Sequence, residues 1–239
     1  MGVEDRVAIV TGASSGIGLA TARLLAEAGA TVHAVARRKA EGAFESHSAD
    51  VTDQGAVTRL MREIGERAGI DILVLAAGLQ IPDRRLEQLT PESWNDLVST
   101  NLSSAFYCVH AAYPYLRRSE GDVVFLSSAS GVWPDLSGPA YQAAKLGLIG
   151  FARGSGFEEH QNGIRFSTVM PGMTNTPMVD KRPTPVPDDV RSHALQPGDV
   201  AQVILFLVSL RKEVYIPEVT VLSTALQALG KPPTAPQAK

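Results

Sequence analysis

In the segment Ala140-Tyr-Gln-Ala-Ala-Lys145 a phenol, Tyr141, and an ammonium, Lys145, stand four residues apart in a run of small residues. Residues i and i+4 share one face of a helix, so a helical segment aims both groups into the same space. A free phenol titrates near 10, and bringing it to about 7 takes roughly 4 kcal/mol of extra support for the phenolate. One ammonium about 4 Å away, at an effective dielectric of about 20, is worth about 4 kcal/mol. A tyrosine so placed can give and take a proton, the work of a general acid or base. On a plain surface helix the same pair is an ordinary contact between neighbours.

A second stretch, Thr11-Gly-Ala-Ser-Ser-Gly-Ile-Gly18, follows the apolar run Val7 to Val10 and opens into a helical pattern from Leu19 to Ala28. Glycines at 12, 16 and 18 allow a tight turn and close backbone approach. The helix that follows presents free N–H groups and its positive dipole end, which suits a pyrophosphate. The spacing is not G-x-G-x-x-G, and three glycines after a strand also suit a simple strand-to-helix turn.

The elements that must hold these groups alternate. Apolar runs at Val7 to Val10, Thr31 to Val35, Ile72 to Leu75, Val123 to Leu126 and Arg165 to Met170 read as strands of a buried parallel sheet. Helical spacing between them is clearest at Trp94, Leu97, Val98, Leu102, Ala105, Phe106 and Val109, with Thr90-Pro91-Glu92 as cap, first-turn proline and early acid. This alternation predicts a doubly wound α/β fold, a parallel sheet of the Rossmann kind, with ligands beyond the carboxyl ends of the strands. The chain is expected to form one domain over 1–229. Prolines 177, 183, 185, 187 and 197 predict a loop or lid over 177–197, and the tail 230–239 reads as disordered.

Composition narrows the function classes. With 239 residues, 44% apolar and 20% charged, the chain can bury a large core. A net charge of −3 and a single basic triplet, Arg37-Arg38-Lys39, argue against a nucleic-acid binder. Its apolar runs fall short of the roughly 20 residues a membrane-spanning helix needs. The single cysteine, Cys108, and the charged N-terminal residues point to a reducing cytoplasm. His33, His47, His110 and His160 show no metal-ligand spacing, so no metal is assigned.

With the glycine turn as T-G-x-x-x-G-x-G and the tyrosine and lysine as Y-x-x-x-K, the chain resembles the short-chain dehydrogenase/reductase family over about residues 5–225. The resemblance implies hydride transfer between a nicotinamide cofactor and a carbonyl or secondary alcohol, with Tyr141 as the proton donor or acceptor. It also implies a serine at the end of the fifth strand and a helical asparagine upstream. Ser128 lies 13 residues before Tyr141 and Asn101 lies 27 before Ser128, the family's spacings. Only that spacing separates Ser128 from its neighbour Ser127. Family roles for these groups are orientation of the substrate oxygen by Ser128, a grip on the ribose by Lys145, and a water-mediated proton path through Asn101.

By the same resemblance Gly12, Ser14, Ser15, Gly16, Ile17 and Gly18 meet the cofactor phosphates, and Asp50 and Val51 the adenine. Ala77 and Gly78 meet the ribose, and Pro171, Gly172 and Thr176 the nicotinamide. At the end of the second strand an acid would bind ribose hydroxyls and repel a 2′-phosphate. This chain has Ala36 there, then Arg37 and Arg38, whose planar forks suit phosphate oxygens, so NADP(H) is the implied cofactor. Two departures stand out. The stretch from Arg38 to Asp50 is short, which predicts an abbreviated helix and third strand, and the N-N-A-G motif reads Leu75-Ala-Ala-Gly78.

Leu79 to Ile81, Val132 to Pro134 and the proline-rich lid are expected to line an apolar substrate cleft. Lys181, Arg182 and His193 of that lid are candidates to meet a polar end of the substrate, although a charged loop residue is more often solvated. Gly147, Gly150, Gly154 and Gly156 in the tyrosine helix suit close approach of a second copy, hence a homodimer or homotetramer. The leading reading is an NADP(H)-dependent carbonyl reductase or alcohol dehydrogenase. The alternatives are a 3-oxoacyl-thioester reductase and a cofactor-sensing protein without turnover.

Overall fold

A computed structural model describes residues 2–226. Seven strands form one parallel sheet in the order β3-β2-β1-β4-β5-β6-β7. They are β1 Val7–Thr11, β2 Thr31–Ala36, β3 Glu45–Ser48, β4 Ile72–Leu75, β5 Asp122–Leu126, β6 Arg165–Pro171 and β7 Glu218–Val221. The strand order reverses at β1, which pairs with both β2 and β4, and a crevice opens there beyond the carboxyl ends.

Helices α1 (Gly16–Glu27) and α7 (Pro197–Ser209) cover one face; α2 (Gln54–Ala68), α4 (Ser104–Ser119) and α5 (Pro139–Glu159) cover the other. Ala8 and Val10 of β1 point into the α1/α7 core, Val7 and Ile9 into the α2/α4 core. Burial on both faces is why these strands read as unbroken apolar runs. The opposite end of the sheet is closed by ion pairs, since Asp122 takes Arg6 and Arg165 at 2.6 Å each.

The expected short third strand is β3, Glu-Ser-His-Ser, while β7, Glu-Val-Thr-Val, escaped the sequence reading; both lie at sheet edges where burial on one side is enough. The helix expected between β2 and β3 is absent, not merely short. Parallel crossovers ordinarily take a dozen or more residues, usually with a helix. Here residues 37–44 suffice, because Ser46 Oγ accepts from Ala40 N at 3.0 Å and Ser48 Oγ donates to the Arg37 carbonyl at 3.2 Å.

The 177–197 stretch is also more regular than its prolines suggest. It holds a 3-10 turn at Val179–Lys181 and α6 at Asp188–Ser192, and Pro197 opens α7, where a missing N–H costs nothing. α3 (Pro91–Val98) starts as expected, with Thr90 Oγ1 accepting from Ser93 N at 3.2 Å. The expected tail, 230–239, lies outside the described residues.

Candidate active site

The glycine turn sits at the crevice. At Gly12, whose φ is +67°, a Cβ would stand 2.6 Å from the Ala76 carbonyl oxygen; at Gly18 it would stand 2.5 Å from that of Gly12. Glycine is therefore required where β1 passes the β4 loop and where α1 folds back on the turn. No side chain caps α1 at Ser15, so its first N–H groups stay open to a phosphate. The loop where two asparagines are missing, at 75 and 76, is tied to β1. Buried Thr11 accepts from Ala76 N at 3.1 Å and Ala77 N at 3.2 Å, fixing the loop through β1's last residue.

A cavity of about 2030 Å³ runs from this turn across the ends of β4, β5 and β6. Single small-molecule pockets hold roughly 300–1,000 Å³, so the space suits a dinucleotide together with a substrate. Gly12, Ser14, Ser15, Gly16, Ile17, Gly18, Arg37, Arg38, Asp50, Val51, Ala77, Gly78, Ser128, Tyr141, Lys145, Pro171, Gly172 and Thr176 all line it. Asp50 also organises its own turn: Oδ1 accepts from Thr52 N at 2.9 Å and Thr52 Oγ1 at 2.7 Å, which holds its pKa down. Thr174, in the loop between Pro171 and Thr176, donates to the Gly172 carbonyl at 3.1 Å.

Helix α5 does present Tyr141 and Lys145 together, both buried. Geometry also separates the two serines. Ser127 Oγ turns away from the cleft and donates to the Lys145 carbonyl at 2.7 Å, whereas Ser128 lines the cleft with Tyr141 and accepts from Ser130 N at 3.1 Å. Asn101 does not line the cavity. It lies in a π-turn, Ser99–Ser103, where Nδ2 donates to the Leu79 and Leu97 carbonyls at 2.9 Å each and Oδ1 accepts from Leu79 N at 3.1 Å. A Cβ at Gly78 would be 3.2 Å from Asn101 Oδ1 and 3.9 Å from Lys145 Nζ, so both groups back onto that glycine.

The electrostatics differ from the sequence-based arithmetic. Burial pushes the Tyr141 phenol up to about 12; the neighbouring Ser128 hydroxyl and the charges of Arg84 and Arg182 oppose it, while Asp135 adds to it. Lys145 is drawn elsewhere. Its ammonium donates to the Leu126 carbonyl at 2.8 Å, 5.6 Å from the centre of the Tyr141 ring, and burial lowers its pKa to about 8. Nearest-neighbour arithmetic missed the pull of a backbone carbonyl left open at the end of β5.

Arg84 carried no signal in the sequence, yet it is only 5% exposed and lies in the cavity wall with Arg182. Leu79, Gln80 and Trp133 line the cleft as expected, while Ile81, Val132 and Pro134 do not. The cleft is therefore less apolar than expected. Strand register also gathers residues that sequence spacing keeps apart: His33 pairs with Glu45, and His33 Nδ1 lies 3.0 Å from His47 Nε2. Glu45 is held by Arg67 at 2.6 Å, and the four residues tie edge strand β3 to β2 and α2.

Residues 6–186 match the short chain dehydrogenase family. The chain belongs to that family. Among curated members, the cis-4-hydroxycyclohexanecarboxylate dehydrogenase of Sinomonas cyclohexanicum is 36% identical over 225 residues, covering 86% of this chain and 90% of that one. A 3-oxoacyl-(acyl-carrier-protein) reductase of Thermotoga maritima is 33% identical, covering 87% and 92%. An alcohol dehydrogenase of Thermococcus sibiricus, solved with 5-hydroxy-NADP, superposes with a TM-score of 0.82 at 25% identity, over 96% of this chain and 99% of that one. The chain is thus an oxidoreductase of a family that uses nicotinamide cofactors on small molecules. No helix among the described residues is long and apolar enough to cross a membrane.

Proposed function

We propose that the protein is an NADP(H)-dependent reductase of ketones, running in reverse as a secondary-alcohol dehydrogenase, with Tyr141 as its general acid and base. The observation that carries this reading is that Ser128, Tyr141 and Lys145 line the same cleft as the glycine turn. When bound, the reduced nicotinamide supplies a hydride to the carbonyl carbon. Ser128 holds the substrate oxygen and shares the charge that develops on it. Tyr141 gives its proton to that oxygen, completing the alcohol.

A phenol held up to about 12 is fully protonated at neutral pH, so it is ready as an acid. Working as a base it needs the phenolate, which Arg84 and Arg182 favour. Lys145, placed by Leu126, is the group expected to reach the cofactor ribose, with Asn101 behind it. Arg37 and Arg38, exposed at the cavity edge after β2, supply guanidinium forks for a 2′-phosphate.

A homo-oligomer in the cytoplasm completes the reading. Leu146 and Phe157 are exposed on α5 at 55% and 78%, and Gly150 and Gly154 beside them face open space. NADPH oxidation across aliphatic, aromatic and β-keto substrates tests the activity. Tyr141→Phe is expected to lower kcat/KM by about 10²–10⁴ with NADPH binding retained. Unchanged turnover in that variant would remove Tyr141 from the chemistry; bound NADPH with no substrate reduced would favour a sensor.

A further inference from the structure

Two arginines converge on the catalytic end of the cleft without a carboxylate to pair them. Arg84 comes from the loop after β4 and Arg182 from the loop after β6; both line the cavity and both act on the Tyr141 phenol. Arg84 is 5% exposed, its Nε has no hydrogen-bond partner, and its single side-chain bond is NH2 to the Lys181 carbonyl at 2.6 Å. Neither arginine forms an ion pair among the described residues. The acid whose charge acts on both, Asp135, is engaged elsewhere, taking Ser130 Oγ at 2.6 Å and Ser137 N at 2.8 Å.

A buried cation without a partner is costly, and two like charges facing one cleft compound the cost. The cost is offset when an anion binds between them, and a guanidinium fork matches a carboxylate's two oxygens. We infer that Arg84 and Arg182 form a carboxylate subsite, and that the substrate is a keto acid or hydroxy acid whose acid group is held there while its carbonyl meets Tyr141 and Ser128. This rests on the reductase reading for the carbonyl, but the subsite itself rests on the arginines. Gly138 helps to set it: at φ +85° a Cβ there would fall 2.2 Å from the Arg84 carbonyl oxygen, so the β5 loop packs directly on the backbone that carries Arg84.

The test uses the full chain with two readouts. Turnover compares 4-oxocyclohexanecarboxylate with its methyl ester, a near-isostere without the charge. Charge-assisted hydrogen bonds are worth about 1.5–3 kcal/mol, so the acid is expected to exceed the ester in kcat/KM by roughly 10- to 100-fold. Arg84→Met and Arg182→Met should each collapse that ratio, and Arg84→Lys should restore part of it. Arg182, which holds no other loop, keeps the test valid if Arg84→Met misfolds.

Calorimetric binding of cyclohexanecarboxylate against cyclohexanecarboxamide is the second readout and needs no turnover. Carboxylate binding lost in either methionine variant supports the subsite even if no ketone is reduced, in which case only the reductase reading fails. Reduction of neutral ketones with no preference for the acid, and no arginine-dependent carboxylate binding, would overturn the subsite while leaving the reductase reading intact.

Discussion

Burial of Lys145 should make stability depend on pH in a defined window. The side chain is 4% exposed, and burial lowers its pKa from 10.5 to about 8. Between those values the unfolded chain binds a proton that the folded chain does not, so stability rises with pH across the window and is lost as pH falls through 8. A shift of about 2.5 units corresponds to about 3 kcal/mol. Tyr141 works in the opposite sense but only above 10, where the unfolded phenol ionises and the folded one, held up to about 12, does not. Cys108, also raised to about 12 by burial, opposes from 9 upward.

Lys145→Met isolates the effect, because the other groups titrate alike in both proteins. Urea unfolding at pH 7, 8, 9 and 10 should show the difference in stability between parent and variant changing by about 2–3 kcal/mol from pH 7 to 10, with the parent gaining. A constant difference across that range would mean that the lysine is not held in a desolvated site.

Other outcomes follow from single contacts. Thr11→Val leaves the Ala76 and Ala77 N–H groups without their acceptor, so it should cost about 1–3 kcal/mol in denaturant unfolding and weaken NADPH binding; an unchanged variant would show that the loop holds itself. Ser128→Ala should lower kcat/KM by about 10²-fold or more, while Ser127→Ala should mainly cost about 1 kcal/mol of stability; equal losses of turnover would erase the distinction between them. Arg37→Ala should raise KM for NADPH far more than for NADH, and equal changes would remove the 2′-phosphate assignment.

The sequence alone determined whatever depends on contiguous residues. Turn glycines, the Thr90 cap, the buried strands and the i, i+4 tyrosine and lysine are each written in a few neighbouring positions, because φ restrictions, capping and helical periodicity act locally. Edge strand β7 was not legible, and β3 was expected only as a shortened family element, since a strand buried on one side needs little apolar sequence. The family spacing favoured Ser128 over Ser127, but only the tertiary structure gives the physical difference, a matter of which face of the strand end meets α5. It alone sent the Lys145 ammonium to Leu126, tied the Ala76–Ala77 loop to Thr11, and brought Arg84 and Arg182 from separate loops to one cleft. Such pairings depend on the sheet bringing the ends of different strands side by side, and no local pattern records them.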